Sequence, residues 1–236
     1  LIYGPIEHLR PAVDDEVIRA IAARHWDAGA SGIYLFNYYS KSAEWKRRVF
    51  SELADPDILY RLDKRYHMDN TRFRWDYSRD SSPRDLHDYA FQNAVPIVQL
   101  PVTLAETFTP MGPKLRLDIA DDVGAAEAEG VLVQCELSLK LTGYSGEDEM
   151  EVWLNGEQLS SVSGTETFGD WSRLEWTGFP TGLAQKSYSG ATVEFDLKAP
   201  PLIKGQNELE VRLLRSAVQK SEPTVLVDVE VTIRYV

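Results

Sequence analysis

One segment near the start of the chain constrains the fold most, because it alternates helix and strand patterns with a suitable residue at each boundary. Residues 32–39, Gly-Ile-Tyr-Leu-Phe-Asn-Tyr-Tyr, are almost continuously apolar, which is typical of a strand covered on both faces. The acidic pair at 14–15 can cap a helix before this strand, and Gly29 can end that helix. Ser40 or Ser42 can cap a second helix after it. The order helix, strand, helix predicts the wall of an α/β barrel.

The same residues carry a resemblance to a known group of proteins. Residues 26–37 are Trp-Asp-Ala-Gly-Ala-Ser-Gly-Ile-Tyr-Leu-Phe-Asn, followed by Trp45, Phe50 and the 53–59 turn Leu-Ala-Asp-Pro-Asp-Ile-Leu. This run resembles the last β/α units of bacterial glycoside-hydrolase-like TIM barrels, which often carry W-x-x-G-A-D-G-I-Y-L-F-N. The resemblance covers residues 1–60. It implies that they form terminal β/α units of such a barrel.

The barrel-like part of the chain is too short to form a complete barrel. A complete eightfold barrel needs about 200–250 residues, and the chain opens inside an apolar strand pattern, Leu-Ile-Tyr-Gly, without an initiator Met or a signal peptide. We therefore expect a C-terminal fragment of a longer protein, whose partner is the remainder of the barrel or a second chain completing it. The full-length protein would be a glycosidase, and the isolated chain is expected to be inactive. The alternative is a small self-sufficient α/β domain.

Charge argues against two classes of partner. The chain has 236 residues and a net charge of −12. Residues 1–95 carry 14 Lys and Arg against 15 Asp and Glu, whereas residues 96–236 carry 11 against 22. The second part repels polyanions, so we expect neither nucleic acid nor a membrane surface as a partner. This charge does not exclude neutral ligands such as sugars. The compartment is undetermined, with a secreted or cell-surface location as one option.

Residues 61–95 differ in pattern from what precedes and follows them. They mix aromatic and charged side chains without a clear period, and Ser81-Ser-Pro83 marks a turn. We interpret this stretch as an ordered connector whose aromatic side chains pack between two domains. Its Asp residues cancel the field that its basic residues would present to a nucleic acid.

From residue 96 onward the pattern is all-β. Short alternating segments are separated by turn signals, of which Asn155-Gly156 is the clearest because it tolerates the positive φ angles of a tight hairpin. Cys135, the single cysteine, lies on the apolar face of one segment, which predicts a buried thiol. The pattern predicts a two-sheet sandwich of jelly-roll type. The predicted strands are 97–108, 114–119, 131–141, 149–154, 158–162, 174–176, 192–197, 208–214 and 225–235.

Two of these segments carry a second resemblance. Residues 151–159, Glu-Val-Trp-Leu-Asn-Gly-Glu-Gln-Leu, and 203–213, Ile-Lys-Gly-Gln-Asn-Glu-Leu-Glu-Val-Arg-Leu, resemble two hairpin and strand motifs of galactose-binding-like β-sandwiches. The resemblance implies that residues 96–236 form a sandwich domain of the kind that commonly accompanies glycoside hydrolases. Some of these domains bind sugars, while many only pack against the catalytic domain.

Candidate carbohydrate-binding residues are aromatic, because pyranose rings dock on flat side chains while nearby polar groups take the hydroxyls. The segment 168–179 and the residues beyond it are the best candidates, and Trp171 is expected in an exposed loop after Gly169-Asp170. The alternative for this group is packing within the sandwich. At the end of the 32–39 strand, two further side chains are placed to line a pocket. The candidates are Asn37, Tyr38, Trp171, Trp176, Phe179 and Tyr188.

Catalytic and metal-binding signals are sparse. Glu7 follows the strand pattern 1–4 and would lie on the active-site rim of a barrel, but no second carboxylate can be assigned at the separation of about 5–5.5 Å that a retaining glycosidase needs. The four histidines have no metal-ligand spacing. No cofactor is expected, although the acidic groups at 147–149 and 118–122 leave a structural Ca²⁺ as an alternative to solvated turns.

The sequence thus predicts the C-terminal region of a carbohydrate-active, glycoside-hydrolase-like protein. Its accessory sandwich would bind carbohydrate, support the catalytic barrel, or both. The alternative is a structural or protein-interaction module without glycan binding.

Overall fold

A computed structural model describes residues 3–7, 14–36, 41–68, 99–106, 112–159, 164–176, 183–217, 220 and 222–236, with the backbone alone described for a few strand residues among them. The helices are α1 (Asp15–Asp27), α2 (Ala43–Ala54), α3 (Pro56–Leu59) and α4 (Val123–Ala128). The strands are β1 (Tyr3–Glu7), β2 (Gly32–Phe36), β3 (Lys64–Met68), β4 (Val102–Thr103), β5 (Lys114–Ile119), β6 (Leu132–Thr142), β7 (Glu149–Leu154), β8 (Glu157–Gln158), β9 (Gly164–Trp176), β10 (Leu183–Asp196), β11 (Gly205–Arg215) and β12 (Val225–Tyr235). None of the described helices has the length and apolar character needed to cross a membrane.

The first part of the chain forms a β-α-β unit. Strands β1 and β2 pair in parallel, with Tyr3 opposite Gly32, and α1 connects them. Helix α1 ends at Asp27, and Gly29, two residues later, has a φ of +85°, which favours a residue without a Cβ. The hydroxyl of Ser42 accepts a hydrogen bond from the amide of Trp45 at 3.1 Å and caps α2, as predicted. The parallel pair has two strands among the described residues, so its assignment to a TIM barrel remains a prediction.

The N-terminal boundary of α1 differs from the predicted capping. The backbone carbonyl of Asp14 accepts the first helical hydrogen bonds, but its carboxylate pairs with Arg65 of β3. The carboxylate of Asp15 accepts a hydrogen bond from the Trp45 indole at 2.8 Å and also pairs with Arg48. Both acidic side chains therefore attach α1 to neighbouring elements instead of capping its free amides.

The described residues from 64 onward form a β-sandwich with one short helix, α4, which confirms the predicted sandwich. One sheet has six strands, with the order β3-β12-β6-β10-β9 and with β4 paired to one end of β12. The other sheet has the order β5-β11-β7-β8. The strand pairs in both sheets run antiparallel. Side chains from both sheets share one continuous apolar core, in which Leu137, Leu139, Leu209 and Val229 are fully buried.

The strand predictions hold best where apolar alternation is strong. The predicted bounds 114–119, 149–154 and 225–235 match β5, β7 and β12. The Asn155-Gly156 turn is present, with φ angles of +51° and +83°. The prediction of buried Cys135 is also confirmed.

The hairpin of β9 and β10 was predicted too short. Strand β10 pairs with β6 only from Gly190 to Asp196. The part of the hairpin nearer its turn, including residues 183–189 of β10, therefore extends past the end of β6. Within the described residues, β6 does not pair with residues 183–189 of β10. This part of the hairpin therefore lacks the alternating apolar positions that indicate a strand. Of the strand predicted at 97–108, the structure describes residues 99–106, and within these only β4, a two-residue strand, is present.

The segment predicted as a connector begins with a strand of the sandwich. Strand β3 pairs with β12, and Lys64, Tyr66 and Met68 face the interior. Helix α1 packs beside β3, and its Ala20 belongs to the sandwich core. An ion pair of 3.0 Å between Lys204 and Asp27 joins the same helix to the sandwich. The remaining residues of the predicted connector, 69–95, lie outside the described residues.

Candidate functional site

The outward surface of the six-stranded sheet, called here the outer face, carries the best candidate site. Along β6 the side chains of Cys135, Leu137, Leu139 and Leu141 point into the core, so Lys140 points to the outer face. The same alternation in β10 buries its odd-numbered residues from 191 to 195 and places its even-numbered residues outside.

Two aromatic rings stack at one end of this face. Trp171 of β9 lies directly opposite Tyr188 of β10, and their ring centroids are 4.4 Å apart with an interplanar angle of 15°. The Lys140 ammonium lies 5.7 Å from the centre of the Trp171 ring. Because β10 separates β9 from β6, these two side chains reach toward each other above β10.

Glycine leaves the sheet bare next to the stacked rings. Gly169 of β9 pairs with Gly190 of β10, and this is the next outer-face position along the hairpin. A Cβ on Gly190 would lie 1.9 Å from the Leu141 carbonyl oxygen, so this position does not accept a larger residue. The result is a strip of two paired positions without side chains, Gly169 exposed and Gly190 half-buried, bordered by Trp171, Tyr188 and Thr192.

Four charged or titratable side chains, His67, Lys140, Asp228 and Glu230, gather beside the strip and are called here the charged cluster. The Nε2 atom of His67 lies 2.6 Å from Oδ1 of Asp228 and 3.7 Å from Oε1 of Glu230. The ammonium of Lys140 lies 3.5 Å from Oδ2 of Asp228 and 3.8 Å from Oε2 of Glu230. Each carboxylate thus has one oxygen near the imidazole and the other near the ammonium.

Local strand geometry explains how the charged cluster forms. Glu230 lies opposite His67 of β3 in the β12 ladder, and Asp228 lies opposite Lys140 of β6. An irregularity between Leu226 and Asp228 interrupts the β12–β6 register. Such irregularities commonly redirect a side chain. Here the side chain of Asp228 is only 3% exposed although it belongs to the outer face.

The structure brings together two of the predicted binding residues, Trp171 and Tyr188. Trp171 lies within strand β9 and not in a loop, which corrects the prediction, because β9 continues its pairing with β10 as far as Trp176. The indole nitrogen of Trp171 is buried and has no hydrogen-bond partner within the described part of the chain. For Trp176 the structure describes only the backbone.

The other predicted site residues are not tested by the geometry. Asn37, Tyr38 and Phe179 lie outside the described residues. Glu7 is the last residue of β1, and its side chain is not described. Their assignments to substrate binding and catalysis stay predictions.

The charged cluster was missed by sequence reasoning because its members come from distant positions. His67 and Asp228 are separated by 161 residues, so no short spacing motif in the sequence could indicate that they are in contact. One signal was present within β12: Asp228 and Glu230 interrupt an apolar run at alternate positions, as outward-facing residues do.

The acidic groups considered for Ca²⁺ make extensive contacts with protein groups. Asp121 accepts hydrogen bonds from Lys64 at 2.8 Å and Tyr235 at 2.7 Å, and a third from Tyr66. Asp148 accepts hydrogen bonds from the Ser145 amide at 2.7 Å and from a second backbone amide, and pairs with a lysine. Both carboxylates thus have a structural role. The prediction of a structural Ca²⁺ at these two groups of acidic residues stays untested.

A second surface feature lies in the β-α-β unit. A groove of about 430 Å³ runs between β2 and helices α1 and α2. Trp26, Leu53 and two exposed aromatic side chains line it. These are Tyr34, which is 54% exposed, and Phe50, which is 50% exposed.

Comparison with known proteins does not assign the chain to a family. No family model and no curated protein matches it. Among solved structures, a CBM35 from Paenibacillus barcinonensis is similar over 56% of this chain and 86% of that chain, with 11% identity and a TM-score of 0.23. A likeness at this level supports no conclusion about function. The sandwich assignment therefore depends on the strand pairing itself.

Proposed function

We propose that this chain binds carbohydrate on the outer face, with Trp171 and Tyr188 as the aromatic platform. The observation that carries the proposal is the stacked ring pair beside the bare glycine strip. A sugar ring needs an apolar flat surface for its C–H face and an unobstructed approach. The pair offers the flat surface, and the strip has no side chain of its own beside it.

Preorganisation favours this platform. Stacking against Tyr188 holds the Trp171 ring in place before a ligand arrives, so binding would immobilise little additional side-chain freedom. Thr192 and the charged cluster supply hydroxyl, ammonium and carboxylate groups within the same surface, and such groups fix the orientation of a ligand. The net charge of −12 favours neutral sugars over polyanionic ones.

A glycan-array screen of the purified chain and its Trp171→Ala variant tests the proposal. We expect specific glycan binding by the native chain and a loss of at least tenfold in affinity for the variant. The matched control is Phe168→Ala. Phe168 lies in the same strand and is 50% exposed, but its ring stacks on Tyr144 and not on Tyr188. Equal loss in both variants, or none in either, would contradict the proposal, provided that circular dichroism shows both to be folded.

Support of a partner polypeptide is the second candidate function. The observation that favours it is the apolar groove with its two exposed aromatic residues, Tyr34 and Phe50. Parallel strands normally lie in larger sheets covered on both faces, whereas β1 and β2 form a separate pair within the described residues. Light scattering of the native chain and a Phe50→Ser variant tests this function. We expect association by the native chain and its loss in the variant.

A further inference from the structure

The charged cluster, whose polar groups the carbohydrate proposal assigns to ligand orientation, also contains a set of metal-ligating atoms. One atom each from His67, Asp228 and Glu230 lies within 4.8 Å of the other two. The set combines an imidazole nitrogen with two carboxylate oxygens, and it is drawn from two adjacent strands of one sheet. Residues on paired strands hold a fixed separation, so the arrangement does not depend on a loop.

The orientation of the carboxylates favours a cation at this position. Lys140 faces Oδ2 of Asp228 and Oε2 of Glu230, which leaves Oδ1 and Oε1 directed toward His67. Two carboxylates and one ammonium leave one net negative charge when the imidazole is neutral. A neutral imidazole is also the form that coordinates a metal.

We propose that His67, Asp228 and Glu230 bind a divalent transition-type cation, with Zn²⁺ as the best match. Ligand atoms at about 2.0–2.1 Å from a tetrahedral Zn²⁺ are about 3.3 Å from one another. The two distances from His67 Nε2, 2.6 and 3.7 Å, lie on either side of this value. Metal binding therefore requires the first contact to lengthen and the second to shorten. Three protein ligands leave a fourth position for water or for an oxygen of a bound molecule.

The ligand set also selects against Ca²⁺, the cation considered from the sequence, and against Mg²⁺. Ca²⁺ and Mg²⁺ take oxygen ligands, whereas an imidazole nitrogen suits Zn²⁺, Cu²⁺ and Ni²⁺. This site is separate from the acidic groups around Asp121 and Asp148, whose carboxylates are occupied by protein donors.

Isothermal titration calorimetry with ZnCl₂ on the chelator-treated chain tests the proposal. We expect one saturable site, and we expect His67→Ala and Glu230→Gln each to weaken it about tenfold or more. Glu194→Gln is the matched control. Glu194 is another carboxylate on the outer face, opposite Ser138 of β6, and its removal should leave the affinity unchanged. CaCl₂ should not compete.

A second variant distinguishes metal binding from a simple ion-pair network. Lys140→Met removes the ammonium that lies beside both carboxylates and makes the cluster more negative. We expect Zn²⁺ to bind more tightly to this variant. His67→Gln, checked by circular dichroism, replaces His67→Ala if the latter does not fold. Absence of a saturable Zn²⁺ site, or an affinity that is the same in the native chain and in the His67 and Glu230 variants, would overturn the proposal.

Discussion

The Nδ2 atom of Asn155 donates a hydrogen bond to Oδ1 of Asn207 at 2.8 Å. This contact joins the turn between β7 and β8 to the start of β11. Asn207 is fully buried. It also accepts a hydrogen bond from the Ile203 amide and donates to the carbonyls of Ile203 and Gly205. Its amide therefore uses all of its hydrogen-bonding capacity inside the sandwich.

Asn207→Leu should destabilise the protein by about 2–4 kcal/mol, because the Asn155 amide and the backbone groups of Ile203 and Gly205 would lose their partner. Thermal denaturation should show a Tm lower by several degrees. Asn155→Gly preserves the positive φ angle of the turn and leaves three of the four Asn207 hydrogen bonds in place. It removes the bond to Asn207 and the more exposed bonds of Asn155 with the Pro201 carbonyl and the Glu208 amide. We expect it to cost less. A native Tm in Asn207→Leu would show that these hydrogen bonds do not stabilise the fold.

The buried pair of Lys64 and Asp121 predicts a non-additive result. Asp121→Ala leaves the Lys64 ammonium in the core with only the carbonyls of Tyr60 and Leu62 as acceptors, which should cost about 3–5 kcal/mol. Burial lowers the pKa of Lys64 and nearby Asp121 opposes this effect. The double variant Lys64→Met/Asp121→Leu should be more stable than Asp121→Ala in urea denaturation. A double variant no more stable than Asp121→Ala would argue against this interpretation.

Asp148 should make the protein sensitive to acid. Burial tends to raise the pKa of its carboxyl, but hydrogen bonds from Lys220 and from the Ala217 and Ser145 amides outweigh burial and lower it. The folded state therefore binds this proton less readily than the unfolded state, whose Asp pKa is about 3.9. The stabilisation is present above about pH 4 and is lost as the pH falls through the folded-state pKa.

The measurement is Tm against pH for native protein and Asp148→Asn. The variant should begin with a lower Tm and should lose less stability below about pH 4. Glu147→Gln, at an exposed neighbouring position, should follow the native curve. Parallel curves for native protein and Asp148→Asn would exclude Asp148 as the source of acid sensitivity.

Cys135 should resist alkylation in the folded protein. Burial raises the pKa of its thiol to about 12, so the reactive thiolate is scarce at pH 8 and is also shielded from reagent. Iodoacetamide should label it slowly in buffer and rapidly in denaturant, as measured by intact mass. Rapid labelling in buffer would show that β6 opens or that the thiol is accessible.

The sequence predicted those parts of the fold whose evidence is local. Strands β5, β7 and β12 follow from alternation within a few residues, and the Asn155-Gly156 turn follows from two residues. Strand β3 was not predicted, because it places Lys64 at a core position. A buried lysine is stable only beside a partner such as Asp121, which lies 57 residues later in the chain. The sequence alone does not indicate this contact.

The candidate site was likewise predicted only where local sequence patterns identify its residues. Trp171 and Tyr188 could be selected as aromatic residues without a clear core role, although their direct contact depends on the pairing of β9 with β10. His67 and Glu230 were not selected, because no short motif contains both. Their proximity follows from the position of β3 at the edge of the sheet, beside β12.

The pairing of β3 with β12 also has a kinetic consequence. The contact between His67 and Asp228 closes a loop of 161 residues, and entropy opposes the closure of long loops. Proteins dominated by such non-local pairings fold in milliseconds to seconds, more slowly than helical bundles. Assembly of the six-stranded sheet should therefore be slow. Until it is complete, the apolar side of β12 would be open to aggregation with other chains.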